Sequence, residues 1–157
     1  MKRLVVGVLI GFVFGVTAGL VPWIRSSEFA VYAVSRDRPD LLNLYFLVGG
    51  NANQLTAEGS LAYVATGPNG GSAVLAILLR HGADPNRGIG RDTPLMNAAS
   101  WCYVDGLRLL IAAHADPSLE NERGKTAIDM VCSAPRDLAV AAKHYLGGAV
   151  ISNNPGH

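Results

Sequence analysis

Two short motifs recur along this chain at a spacing near 33 residues, and no other feature restricts its fold as much. Arg91-Asp92-Thr93-Pro94-Leu95-Met96-Asn97-Ala98-Ala99 aligns with Gly124-Lys125-Thr126-Ala127-Ile128-Asp129-Met130-Val131-Cys132, which puts Thr93 and Thr126 33 positions apart. Another 33 positions back stands Ser60, in Gly59-Ser60-Leu61-Ala62-Tyr63-Val64-Ala65. The second motif, Leu78-Leu79-Arg80-His81-Gly82-Ala83-Asp84-Pro85-Asn86, returns as Leu109-Leu110-Ile111-Ala112-Ala113-His114-Ala115-Asp116-Pro117-Ser118. A weaker copy precedes it at Tyr45-Phe46-Leu47-Val48-Gly49-Gly50-Asn51-Ala52-Asn53. A unit of this size cannot bury an apolar face alone, so the copies must stack on one another.

Local chemistry gives each unit a shape. Thr93 can cap a helix with its hydroxyl, and Pro94 falls in the first turn, where its missing N–H costs nothing. Ala98 and Ala99 are small enough for close helix packing, and the helix ends near Trp101 to Tyr103. Leu107, Leu109, Leu110 and Ile111 make the apolar face of a second, antiparallel helix, and Asp116-Pro117 turns the chain into a hairpin-like connection. In the unit before, Gly67-Pro68-Asn69-Gly70-Gly71 makes the turn, Ser72 can cap, and Val74, Leu75, Ile77, Leu78 and Leu79 are apolar. An earlier pair of helices is expected at about Phe29 to Ser35 and Asp40 to Val48, and a last pair at about Ala127 to Ser133 and Pro135 to Leu146.

These residues resemble the ankyrin repeat, marked by Thr-Pro-Leu-His-x-Ala-Ala followed by Leu-Leu-x-x-Gly-Ala-Asp-x-Asn. The resemblance spans residues 28–148 and implies an all-α solenoid of about four helix-turn-helix repeats, at about 28–58, 59–91, 92–124 and 125–148. Residues 149–157 read as a flexible tail. Three departures stand out. Met96 replaces the family histidine, which removes its usual bonds to the hairpin. His114 replaces the glycine that ends a helix in left-handed geometry, at an energetic cost. The Pro-Asn-Gly-Gly turn carries an extra residue. A stack of four imperfect units implies modest stability.

Ahead of the repeats, Lys2 and Arg3 precede an uncharged run from Leu4 to Ile24, closed by Arg25. As a helix this run rises about 31 Å, enough to cross a hydrocarbon core. Residues 1–25 are therefore expected to form a signal anchor, with Trp23 as an interfacial aromatic. The alternative is a leader cleaved near Ala18, after which the chain is released to the periplasm; the apolar run beyond that site favours retention. Gly7, Gly11, Gly15 and Gly19 form one stripe on such a helix, a packing surface for a second helix and a route to a homodimer. The short leader favours an inside N-terminus, so the expected location is the inner (cell) membrane, single-pass, with the repeats on the periplasmic or outer side.

The resemblance also places a concave binding face on the hairpin tips and first helices. It implies partner contacts at Arg87, Ile89, Arg91, Asp92, Asn97, Ser100 and Trp101, extended by Arg123, Lys125 and Met130. Trp and Arg are frequent interface anchors, so Trp101 with Arg91 and Arg123 is the leading patch, suited to an acidic or aromatic partner. Cys102 and Cys132 fall on neighbouring units. Outside the cytoplasm they can form a disulfide, unless the stack holds them too far apart. Formal charge is +1 and beyond Arg3 there are 11 basic and 12 acidic residues, so no basic stripe points to nucleic acid. His81, His114, His144 and His157 lack metal-ligand spacing, no cofactor is implied, and the glycine-rich turn lacks the Lys and Ser/Thr of a phosphate loop. The sequence implies a non-catalytic, membrane-tethered module that binds, protects or inhibits a protein partner. The alternative is a structural membrane-assembly protein that acts through the glycine stripe, with the repeats as spacer.

Overall fold

A computed structural model describes residues 20–133 and 136–152. Gly7, Gly11, Gly15, Gly19 and most of the expected anchor lie outside the described residues, as do residues 153–157 of the tail. Among the described residues, no helix is long and apolar enough to cross a membrane.

Residues 20–24 form a short helical stretch, and Arg25–Ser26 turn it into α1 (Ser27–Ser35). Ser26 caps α1 by accepting from the Phe29 amide at 3.2 Å. Then come α2 (Pro39–Leu47), a hairpin of β1 (Leu55–Thr56) and β2 (Gly59–Ser60), α3 (Leu61–Ala65) and α4 (Ser72–Arg80). They are followed by α5 (Pro94–Ser100), α6 (Val104–Ala112), a 3-10 turn at Ile128–Met130 and α7 (Arg136–Ser152). Helices α1, α3 and α5 pack in sequence as one row, and α2, α4, α6 and α7 as the other. The architecture is mostly helical, with short hairpins between units; the second hairpin is closed by the Ile89–Asp92 bridge.

The core is one continuous apolar seam between the two rows. Val34, Leu42, Leu61, Leu75, Leu78, Leu95, Leu107 and Leu110 are buried in it. Ala30, Ala33, Ala62, Ala65, Ala98 and Ala99 line the first row and let neighbouring helices approach closely. The repeat motif explains three cross-unit links. In each unit an Asx turn closes on the last motif residue: Asn53, Asn86 and Ser118 donate their amides to Asn51, Asp84 and Asp116, each at 2.9 Å. Asn53 then reaches forward, accepting from the Asp84 amide at 2.7 Å and donating to the Gly82 carbonyl at 2.8 Å. Asn86 repeats the move on Asp116 at 2.8 Å. Ser118 is too short to do so and donates its hydroxyl back to Asp116 at 2.6 Å.

Two local expectations need correction. The cap position of α4 is Gly71, with no side-chain cap bond, because Ser72 is already helical. At the start of α5 Thr93 and Met96 close a local pair of bonds: Thr93 accepts from the Met96 amide at 3.2 Å, and the Thr93 amide donates to the Met96 sulfur at 3.4 Å. A buried thioether thus gives a weak acceptor where the family histidine gives a strong one. The first helix of the last unit is reduced to the turn at Ile128–Met130. Val131 is extended (φ −58°, ψ 131°), which carries Cys132 to the preceding unit. There its amide bonds to the Ala99 carbonyl at 3.1 Å.

Cys102 and Cys132 are joined as a disulfide with Cα atoms 5.5 Å apart. Cys102 sits just past α5 in left-handed conformation, at φ +50°. The bond therefore ties the end of α5 to the segment that leads into α7.

Candidate functional site

The inner row of helices and the hairpins that rise beside it form the candidate partner-binding face. Two of its clefts adjoin the expected contact residues. The larger, about 600 Å³, lies between the first two hairpins, with Leu55 and Thr56 on one side and Arg87, Ile89 and Gly90 on the other. The smaller, about 250 Å³, is framed by Ser35, Glu58, Tyr63, Asn69 and Asn97.

The expected contact residues fall into groups with different freedom. Arg87, Arg91, Arg123 and Lys125 are exposed along the hairpins. Ile89 is 40% exposed on the rim of the larger cleft. Asp92 is engaged: its carboxylate accepts from Asn121 at 2.9 Å. Asn97 is half-buried, and its amide donates to the Tyr63 carbonyl at 3.0 Å and the Thr66 hydroxyl at 3.2 Å, so it holds α5 against α3. Ser100 donates to the Asn97 carbonyl at 2.8 Å within its own helix. Met130 is half-buried and packs against the core. Its sulfur lies 3.5 Å from the Asn121 amide.

Trp101 is 55% exposed at the C-terminal cap of α5. Arg91 lies before the opposite end of that helix. The seven residues of α5 rise about 10 Å, so Trp101 and Arg91 mark two ends of the face rather than one contact patch.

Asn121 was not among the expected site residues, yet it builds the third-hairpin end of the face. It is 7% exposed, and its side-chain oxygen accepts from the Arg123 backbone amide at 3.0 Å and the Lys125 backbone amide at 3.1 Å. Its own amide pairs with the Lys125 carbonyl at 3.0 Å. A fully bonded asparagine thus fixes the third hairpin and bridges it to Asp92 of the second. Glu58 was also missed. It stands 33 positions before Arg91, in the same place on the first hairpin, and carrying the period back one unit identifies it. With Glu28 on α1 beside it, the first-unit end of the face carries two exposed carboxylates, whereas the third hairpin mixes exposed Glu120 and Glu122 with Arg123 and Lys125. Burial, and then the nearby Asp92 charge, push the Tyr63 phenol above its ordinary range and keep it neutral. Among the described residues, no group of three or more His, Cys, Asp or Glu side chains could hold a metal ion.

Comparison with known proteins agrees with this architecture. The family model for the ankyrin repeat matches residues 91–122, the unit with the most complete motif. Residues 91–122 are an ankyrin repeat, and the stack around them has the ankyrin-repeat fold. Ankyrin repeat and SOCS box protein 18 of Homo sapiens is 43% identical over 61 residues, which are 38% of this chain and 13% of that protein. The crystal structure of the human ASB11 ankyrin repeat domain superposes with a TM-score of 0.66 at 24% identity, covering 76% of this chain and 52% of that one. At that identity the likeness is one of fold. The chain spans about an eighth of the curated relative and half of the solved ankyrin domain. Ankyrin repeats are protein–protein interaction modules, generally without enzymatic activity.

Proposed function

We propose that this protein is a membrane-tethered adaptor or inhibitor that engages a protein partner through the inner face of its ankyrin stack, from the hairpins to the far ends of the first-row helices. The observation that supports it best is the exposure of Trp101, 55%, on an inner-row helix whose alanines are buried. A large aromatic left in solvent at the end of a rigid helix is available as an interface anchor. Arg91 and Arg123 supply cations at the other end of the same units, which suits a partner with acidic and aromatic groups. Asp92 and Asn97 belong to the scaffold of this face.

The tether is the uncharged run of residues 4–24, retained as an anchor that leaves the repeats on the outer side of the membrane. In a bacterial cell that side is the periplasm. The experiment cross-links the full chain in its native membrane and identifies the captured protein, then repeats the capture with Trp101→Ala and Arg91→Ala. Each substitution is expected to weaken capture at least tenfold with folding unchanged by circular dichroism. Undiminished capture by both variants refutes the face. A C-terminal reporter active only outside the cytoplasm, read in the membrane fraction, tests the tether separately.

A further inference from the structure

The junction between the N-terminal apolar run and the repeats has no linker. Ile24 is 5% exposed and belongs to the repeat core, although it also ends the uncharged run. Trp23 meets the buried ring of Phe29 edge-on, with centroids 5.0 Å apart. The turn between them is bonded throughout: Arg25 donates to the Val21 carbonyl at 3.1 Å, Ser26 donates to Trp23 at 3.0 Å, and the Ser26 hydroxyl caps α1. The helical stretch 20–24 is therefore held by the first unit at a fixed angle.

The outer surface of that stretch is apolar. Leu20, Val21 and Trp23 are 48%, 36% and 55% exposed, and no charge precedes them back to Leu4. Arg25, directly after them, is exposed. An apolar collar with an aromatic, bounded by a cation, matches the layering of a bilayer interface, where aromatic rings sit at headgroup level and arginine meets lipid phosphate. A flexible linker would let the stack drift from the membrane; a core residue inside the junction does not.

The geometry points to a lipid bilayer as the occupant of this collar, with the first ankyrin unit seated directly on the headgroups. The inference rests on the tether proposed above and adds to it the position of the stack. The chain from Ile24 to Ser27 spans at most ~10 Å. Ser27 and Glu28 share a cleft with Thr56, Ala57 and Glu58, so the tip of the first hairpin also lies near the membrane surface. The acidic end of the binding face then opens beside the headgroups, and a partner must reach the membrane to fill it.

The test uses the full chain in vesicles of phosphatidylcholine and phosphatidylglycerol doped with a headgroup-nitroxide lipid. A fluorophore is attached at Ala57→Cys, a position exposed and remote in sequence from the anchor. Nitroxide lipid is expected to quench it at least twofold. A ten-residue Gly-Ser insertion between Arg25 and Ser26 is expected to abolish the quenching while flotation with the vesicles persists. A floating chain whose Ala57 probe is unquenched, or quenched equally with the insertion, overturns the seating and leaves the tether standing. A chain that does not float overturns the tether, and the seating with it.

Discussion

At the scale of the residue, equivalent positions in the repeats show what each substitution has cost. Gly49, Gly82 and His114 end the second helices of successive units, and all three have positive φ: +84°, +80° and +63°. Glycine takes this geometry freely, whereas a side chain costs about 1–2 kcal/mol there. His114→Gly removes that strain but adds about 0.5–1 kcal/mol of unfolded-chain entropy. The net expectation is a gain of about 0.5–1 kcal/mol, read as a higher urea midpoint with unchanged slope. Asn97 gives the opposite case. Its amide spans α5 and α3 through two hydrogen bonds, and Asn97→Ala leaves the Tyr63 carbonyl and the Thr66 hydroxyl without this donor. A loss of about 1–2 kcal/mol is expected in the same urea experiment. A loss of partner binding with stability intact would instead make Asn97 a contact residue.

At the scale of the element, the last unit differs most from its neighbours. Thr126 occupies the cap position of Thr93, but the Asp129 carboxylate binds both its amide, at 2.9 Å, and its hydroxyl, at 2.8 Å. The amide of Thr126 first, and then its hydroxyl, hold Asp129 below the ordinary carboxylate value of 3.8. Because the folded value is the lower one, the ionised turn stabilises above pH 3.8, and that contribution fades as pH falls through the folded value. NMR titration is expected to show Asp129 protonating below 3.8, with the Thr126 amide exchanging faster over the same range. A midpoint at or above 3.8 contradicts the bond. This unit also shows where sequence reasoning stopped. Periodic leucines, Thr93-Pro94 and the Gly-Ala-Asp turns made the two middle units legible, because each signal acts within a few residues. The fourth unit was expected to have a full first helix from its apolar spacing. What shortened it is a long-range event: Cys132 pairs with Cys102 and its amide bonds to Ala99, and the chain must extend at Val131 to arrive there. Likewise Arg91 and Trp101 were legible as exposed types, whereas the helix length that separates them, and the engagement of Asp92 by Asn121, depend on packing between units.

At the scale of the molecule, stability in a stack is a sum of unit and interface contributions. The first two interfaces are each pinned by an asparagine, Asn53 or Asn86, that reaches the backbone of the next unit. The third has Ser118 at that place, and the disulfide stands across the same interface. Its sequence separation of 30 residues corresponds to about 3–4 kcal/mol in the loop-entropy model. That exceeds the one or two hydrogen bonds an asparagine would contribute, at about 1 kcal/mol each. Reduction should therefore act unevenly. Amides of α7 are expected to lose protection from hydrogen exchange first, since Ala142 and Leu146 are its buried residues among those described and the bond supports their seat on α6. Amides of α4, held on both sides, are expected to change far less. The urea midpoint of the full chain should fall by about 1–4 M for slopes typical of small domains. Equal loss of protection in α4 and α7 would mean that the stack unfolds as one unit, with the bond stabilising all of it rather than its last interface.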